Sequence, residues 1–364
     1  MTDPFHILGA DPSGAHVRTP DPRDFPFSPL EVAQASAPFS WATGYDVEVD
    51  LGMKLTVKDQ GQSGSCGGQA FATYGQALRI AYAKDAAERS AKFLYSQVYV
   101  PVPGGGSSDR ELARIAQGQG FGLEKDVSSY MGGNPPVTPT EAFMERAQDI
   151  TGLARIDAAK DKISFAYAFP TINLDSVAQA CAASKGIVLG LRGSNNRTWT
   201  DVSPRPPSYA PVVASNGIWN HYVYGGKPKI YNGKKGIWIL NSWGKDVGQG
   251  GWQFIDEDYF ASGAIWGAIV LIYNSTPSAR PTHSFMRNIA MGEQSAEVLA
   301  LQQVLAYDGE FNLAPTGYFG SVTAQAVLKY QIKNVVADAT TLAELGGHNV
   351  GPATRAKLNA QYGS

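Results

Sequence analysis

A chain of 364 residues exceeds one ordinary small domain, and its 43% hydrophobic, 17% charged and 11% aromatic residues argue against global disorder and for two or three units with their own cores. Thirty Lys plus Arg against 32 Asp plus Glu leave a formal net charge of -2 with no basic run, so a nucleic-acid partner is not expected. No apolar stretch approaches the roughly 20 residues of a membrane span, and Met1 to Pro12 carries neither the basic nor the apolar region of a secretion signal, so neither a membrane anchor nor export by the ordinary route is expected.

Residues 1 to 43 are rich in Pro, Asp and Ser without a sustained period, which reads as an extended arm. From Tyr45 the segment "YDVEVDL" reads as a strand. A Gly-rich turn follows, then "QAFATYGQALRIAYA", whose Phe71, Tyr74, Leu78 and Tyr82 share one helical face; that helix is expected to begin at or beside Cys66. "DRELARIAQ", behind a Gly and Ser cluster at 104 to 108, predicts a helix ending near Gly118, and "LDSVAQACAAS" predicts another that leads into a buried strand, "GIVLGL". Up to residue 273, "HYVYGG", "KGIWILNSW", "GGWQFI" and "GAIVLIY" alternate with Gly, Asn and Asp turns, as in an antiparallel sheet or barrel. Helices come first and strands second, an α+β order. The polar, Pro-containing stretch 274 to 292 reads as a linker, and a second domain is expected over 293 to 364. There "FGSVTAQAV" and "VGPATRAKL" repeat a turn glycine, a Thr three residues on and an apolar residue four beyond that.

Two cysteines, Cys66 and Cys181, cannot supply a disulfide framework, and such sparse use makes each informative. A thiol becomes a nucleophile when a helix N-terminus and a neighbouring imidazolium stabilise its thiolate. Cys66 stands where a helix should start, behind the small flexible loop "DQGQSGSC", with Gln60 and the Cys66 N–H as candidate donors to a developing oxyanion. Cys181, in the middle of an amphipathic helix, reads as packing. Gly118, Gly120 and Gly122 follow a helix and not a strand, which argues against a nucleotide loop. His6, His16, His283 and His348 show no ligand spacing, and "GQSGS" lacks the closing glycine of a serine-hydrolase elbow.

The segment "QGQSGSCGGQAF" resembles the active-site loop of the papain family of cysteine peptidases. "NHYVYGG" resembles the family's His strand, and "ILNSWGKDVGQGGWQFI" its Asn-Ser-Trp-Gly block. Cys66, His221 and Asn241 stand in the family order, 155 and 20 residues apart. The resemblance implies a two-lobed fold over 44 to 273, a helical lobe and an antiparallel β lobe with a cleft between them. It further implies that Cys66 is the nucleophile, ion-paired with His221, that Asn241 orients the imidazole, and that Gln60 completes the oxyanion hole. Trp243 would cover the His221 to Asn241 bond, and Gly105 and Gly106 would meet the backbone of an extended substrate. No metal or organic cofactor is implied. Four positions depart from the pattern: Ser63 replaces a half-cystine, Gly67 and Val247 replace tryptophans, and Asn220 stands where many relatives have Asp. Gly67 and Gly68 are expected to loosen the helix start by about 1 kcal/mol each.

Residues 293 to 364 resemble the peptidoglycan-binding-like domain found beside wall-acting enzymes, through "EVLALQQVLAYDGEFNLAPTGYFGSVTAQAVLKYQ" and "NVGPATRAKLN". A compact three-helix unit is implied, with Leu301, Leu305, Phe319, Val327 and Leu358 as its core and peptidoglycan as a candidate partner. The combined reading is a peptidase acting on protein or wall peptides. A bacteriophage structural or assembly protein that retains the fold, and an inactive binding module, are the alternatives; a wall-binding domain without a secretion signal fits delivery in a virion or release by lysis.

Overall fold

The computed structural model describes residues 39–101, 105–133, 135–169, 171–194, 199, 218–273, 280–311, 315 and 317–363. The expected arm therefore lies outside the described residues up to position 38. The chain divides into two compact units, with the break between Leu271 and Ile272.

The first unit opens with a short helix, α1 (Val47–Leu51), where alternation had pointed to a strand. Capping overrides the β-branched pattern. The Asp46 carboxylate accepts the Glu48 N–H, and Gly52 closes the turn at φ 66°, the left-handed conformation that glycine adopts without a Cβ clash. The central helix α2 (Cys66–Ala83) is buried over nearly all its circumference from Cys66 to Leu78, so it sits inside the unit and not on its surface. Short α3 (Ala91–Tyr95) and α4 (Asp109–Gly118) pack beside it, capped by Ser90 and Ser108. Two further short helices, α5 (Glu141–Met144) and α6 (Gly152–Ala158), follow.

Helix α7 (Leu174–Ala183), capped by Asn173, then leads into the sheet. The sheet order is β1-β6-β2-β3-β4-β5, built from β1 (Ile163–Ala168), β2 (Ile187–Ser194), β3 (Ile218–Tyr231), β4 (Lys234–Leu240), β5 (Trp252–Asp256) and β6 (Ile265–Tyr273). The joins β6–β2, β2–β3, β3–β4 and β4–β5 are antiparallel. Asn232 and Gly233, both at positive φ, form the two-residue turn between β3 and β4, the geometry that matches strand twist. A short helix between β5 and β6, α8 (Glu257–Ala261), is capped by Asp256. Helix α2 packs on β3, and α7 covers β2 and β3, so the helix that begins with Cys66 lies against the strand that carries His221.

The second unit holds α9 (Ala296–Tyr307), α10 (Ser321–Lys333), α11 (Ala339–Leu345) and α12 (Pro352–Tyr362), with a two-stranded ribbon of β7 (Ile289–Ala290) and β8 (Asn349–Val350). A three-helix unit was expected; α11 is an additional short helix. Leu301, Leu305, Phe319, Val327 and Leu358 are all buried. The sequence repeat has a physical basis. A buried glutamine of an earlier helix donates to the Thr of each copy, Gln302 of α9 to Thr323 at 2.9 Å and Gln331 of α10 to Thr354 at 3.0 Å, which ties each turn to that helix. The linker expectation needs correction for 280 to 292. His283 N–H donates to the Tyr362 carbonyl, Phe285 is buried and bonded to Asn359, and Ile289 pairs with Val350, so these residues belong to the second unit. Residues 274–279 lie outside the described ones.

Candidate active site

His221 lies on β3 and Asn241 immediately after β4, its backbone N–H held by the Gly251 carbonyl at 3.0 Å. Adjacent antiparallel strands bring the two side chains together: His221 Nε2 and Asn241 Oδ1 are 2.9 Å apart. Asn241 Oδ1 also accepts the Ser242 N–H at 2.8 Å, and Asn241 Nδ2 donates to Gln253 Oε1 at 2.7 Å, so the amide orientation is fixed from both ends. An acceptor at Nε2 requires the imidazole to carry its proton there. A neutral ring then presents Nδ1 as a bare acceptor, and Nδ1 is buried without a hydrogen-bond partner among the described residues.

Aromatic rings wall this pair. Trp243 stacks on His221 with centroids 4.9 Å apart and planes 24° off parallel, while Trp219, two residues before His221 on the same strand face, meets the ring edge-on at 5.8 Å. Trp199 completes the cluster against both tryptophans, and its carbonyl accepts from Gln253 Nε2. The wall excludes water from the His221 to Asn241 bond and strengthens it in the low local dielectric.

On the other side, Cys66 opens α2 and is fully buried. Backbone N–H groups of Tyr222, the residue after His221, of Gly67 and of Cys66 itself reach the thiol. Gln60 is locked in place: its Oε1 accepts from Ser242 Oγ at 2.7 Å, its backbone N–H donates to the Ser242 carbonyl at 2.8 Å, and its Nε2 donates to the Ser63 carbonyl at 2.8 Å. That last bond uses one of its two N–H groups. Ser242 thereby ties the Gln60 loop to the His221 and Asn241 pair. Behind the loop, buried Lys58 binds Glu88 at 2.6 Å and the Arg89 carbonyl at 2.9 Å.

Two of the four departures from the motif, Ser63 and Gly67, have a local packing context. Ser63 Oγ donates to the Gln60 carbonyl and sits 2.7 Å from Ser65 Oγ, a polar closure of the loop where a disulfide could have stood. A Cβ on Gly67 would approach Leu112 Cδ1 to 2.6 Å and Ser107 Oγ to 2.8 Å, and one on Gly68 would approach the Ala91 carbonyl oxygen to 2.8 Å. Close approach to α3 requires Gly68, where a Cβ would meet backbone, and Gly67 lies close under the side chains of Leu112 and Ser107.

Two expectations change. The Cys66 and His221 ion pair is not favoured here: burial pushes the thiol up to about 12, against the pull of the surrounding N–H groups, and burial lowers His221 to about 4, against the Asn241 hydrogen bond. In each group burial favours the neutral form. Gly106 is not open to a substrate either, because Tyr95 Oη accepts its N–H at 2.8 Å and its carbonyl accepts from Val100 N–H at 2.9 Å. Gly105, at φ 63°, is buried beside the Glu141 carboxylate. Sequence reasoning passed over Gln253, Trp219 and Glu141. A lone polar residue within the apolar "WQFI" run and a tryptophan two positions from His221 were the available signals for the first two; Glu141 offered none.

Solved structures show the same architecture. Xylellain, a cysteine protease from Xylella fastidiosa, matches with a TM-score of 0.56 at 20% identity over 72% of this chain and 96% of its own. Procathepsin B S9 from Trypanosoma congolense matches at 0.54 and 13% identity, over 72% and 88%. Digestive procathepsin L 3 from Tenebrio molitor larval midgut matches at 0.53 and 17%, over 74% and 79%. The chain has the papain-like fold of these cysteine proteases. No protein-family model and no curated protein sequence matches the chain.

Proposed function

We propose that this chain is a cysteine endopeptidase in which Cys66 attacks the scissile carbonyl. His221 Nδ1 takes the thiol proton and returns it to the leaving amine, and Asn241 orients the ring. The Cys66 N–H and the remaining Gln60 N–H would stabilise the oxyanion. The observation that carries the reading is the 2.9 Å His221 to Asn241 contact, which leaves Nδ1 as the base, in the strand that borders the Cys66 helix. The likeness of fold to cysteine proteases supports it. The resemblance of residues 293 to 364 to wall-binding domains supports a second role, attachment to peptidoglycan, which would raise the local concentration of catalyst at wall-bound peptides. Incubation with casein and with peptidoglycan, wild type beside Cys66→Ala, tests the first role by new peptide ends; their absence from both substrates in the wild type retires the peptidase reading. Cosedimentation of Cys66→Ala with purified peptidoglycan tests the second, and failure to pellet retires wall attachment.

A further inference from the structure

The cysteine loop does not face an empty groove. An extended stretch already lies along it: Gln62 N–H donates to the Pro139 carbonyl at 3.0 Å, and Gln62 forms a parallel bridge with Thr140. This is the way an added peptide strand uses an exposed backbone edge. One residue further, the Glu141 carboxylate bridges the loop before Cys66 and the end of α3. Its Oε2 accepts the Gly64 N–H at 2.5 Å, two residues before Cys66, and its Oε1 accepts from Tyr95 Oη, the same hydroxyl that accepts the Gly106 N–H.

The backbone is shaped for this contact at two glycines. Gly61, at φ 54°, would place a Cβ 2.6 Å from the Pro139 oxygen and 2.7 Å from Thr138 Cβ, and a Cβ on Gly105 would collide with the Glu141 carboxylate itself. We propose that residues 135 to 141 form a strap that closes the groove beside Cys66, latched by Glu141 on Gly64 and Tyr95, and that a peptide reaches the thiol only when the latch opens. The strap holds the donors on both flanks of the thiol, Gly64 N–H directly and Gly106 N–H through Tyr95. The negative charge of Glu141 also disfavours the Cys66 thiolate, so closure and chemical quiescence go together. The proposal rests on the peptidase reading for what the groove receives, but closure of a thiol can be measured without any peptide bond being cut.

Carbamidomethylation by iodoacetamide at one fixed pH, followed by peptide mass spectrometry, reads Cys66 and Cys181 separately in the full chain. Glu141→Ala, Glu141→Asp and Tyr95→Phe each break the latch; the Asp variant keeps the charge and shortens the reach, separating occlusion from electrostatics. Cys66 labelling should rise about 10- to 100-fold, the population change from losing one charge-assisted hydrogen bond, with Cys181 unchanged. A variant in which both cysteines label fast has unfolded, and Tyr95→Phe, the mildest change, then decides. Cys66 labelling within about twofold of wild type in the folded variants would overturn the strap. Faster labelling with no cleavage of any peptide would instead retire the peptidase reading and leave the strap standing.

Discussion

His221 and Asn241 sit at the ends of two paired strands, where sheet register, two linked amides and three tryptophans leave each side chain one position. Cys66 sits behind a loop of glycines and serines whose shape depends on side chains reaching across from elsewhere: Gln60 to Ser242, Lys58 to Glu88, Glu141 to Gly64. The difference separates orientation from access. The sheet side is preorganised and dry, so its part in catalysis would need no rearrangement, whereas the loop side holds its donors in internal bonds and must exchange them for a substrate.

The largest effect should come from the sheet side. His221→Ala removes the group proposed to move the proton, and peptide turnover should fall about 10⁴-fold with the fold retained, read as kcat with circular dichroism alongside. An unchanged kcat would move the base elsewhere. Gln60→Ala should lower kcat about 10- to 1,000-fold with KM little changed, because an oxyanion donor acts in the transition state. A rise in KM alone would make Gln60 a substrate contact.

Asn241→Ala should reduce kcat less than His221→Ala does, since it removes orientation and not the proton carrier. It should also lower Tm, because the Gln253 Oε1 and the Ser242 N–H lose their partner, and stranding each buried group costs about 1 to 3 kcal/mol. A drop in kcat as large as that of His221→Ala would mean the ring turns away without its anchor.

Much of this arrangement was legible before the fold was known, and the parts that were not have a common cause. Motifs name residues whose chemistry is local: Cys66 at a helix start, His221 on a strand, Asn241 beside Ser-Trp-Gly. Glu141, Lys58 and Gln253 act on residues 77, 30 and 12 positions away, and no local pattern encodes such partnerships. The strand expected at "YDVEVDL" failed because the Asp46 and Gly52 caps outweigh β-propensity in a five-residue segment. The linker expected up to 292 failed because polar composition does not reveal that Phe285 and Ile289 find a core.

The smallest expected effect is on stability against pH. In the folded chain His221 resists protonation down to about 4, whereas an unfolded His takes a proton near 6.5, so the unfolded chain binds more protons between those values. Stability contributed by the neutral ring is therefore present above about pH 6.5 and lost as pH falls towards 4. Cys66 works in the opposite sense. Its folded value near 12 lies above that of a free thiol, so its contribution is present below about pH 8.5 and lost as pH rises towards 12. Chemical denaturation across this range should show a plateau between the two limits, and His221→Ala should flatten its acid side.

The most direct test of Cys66 as nucleophile is to trap the covalent intermediate. A peptide ester or thioester mixed with the protein and quenched in acid should leave one acyl group on the tryptic peptide that contains Cys66. Glu141→Ala should accumulate it faster, and Cys66→Ala should neither carry it nor release product. An acyl group on another residue, or undiminished product release from Cys66→Ala, would contradict the account.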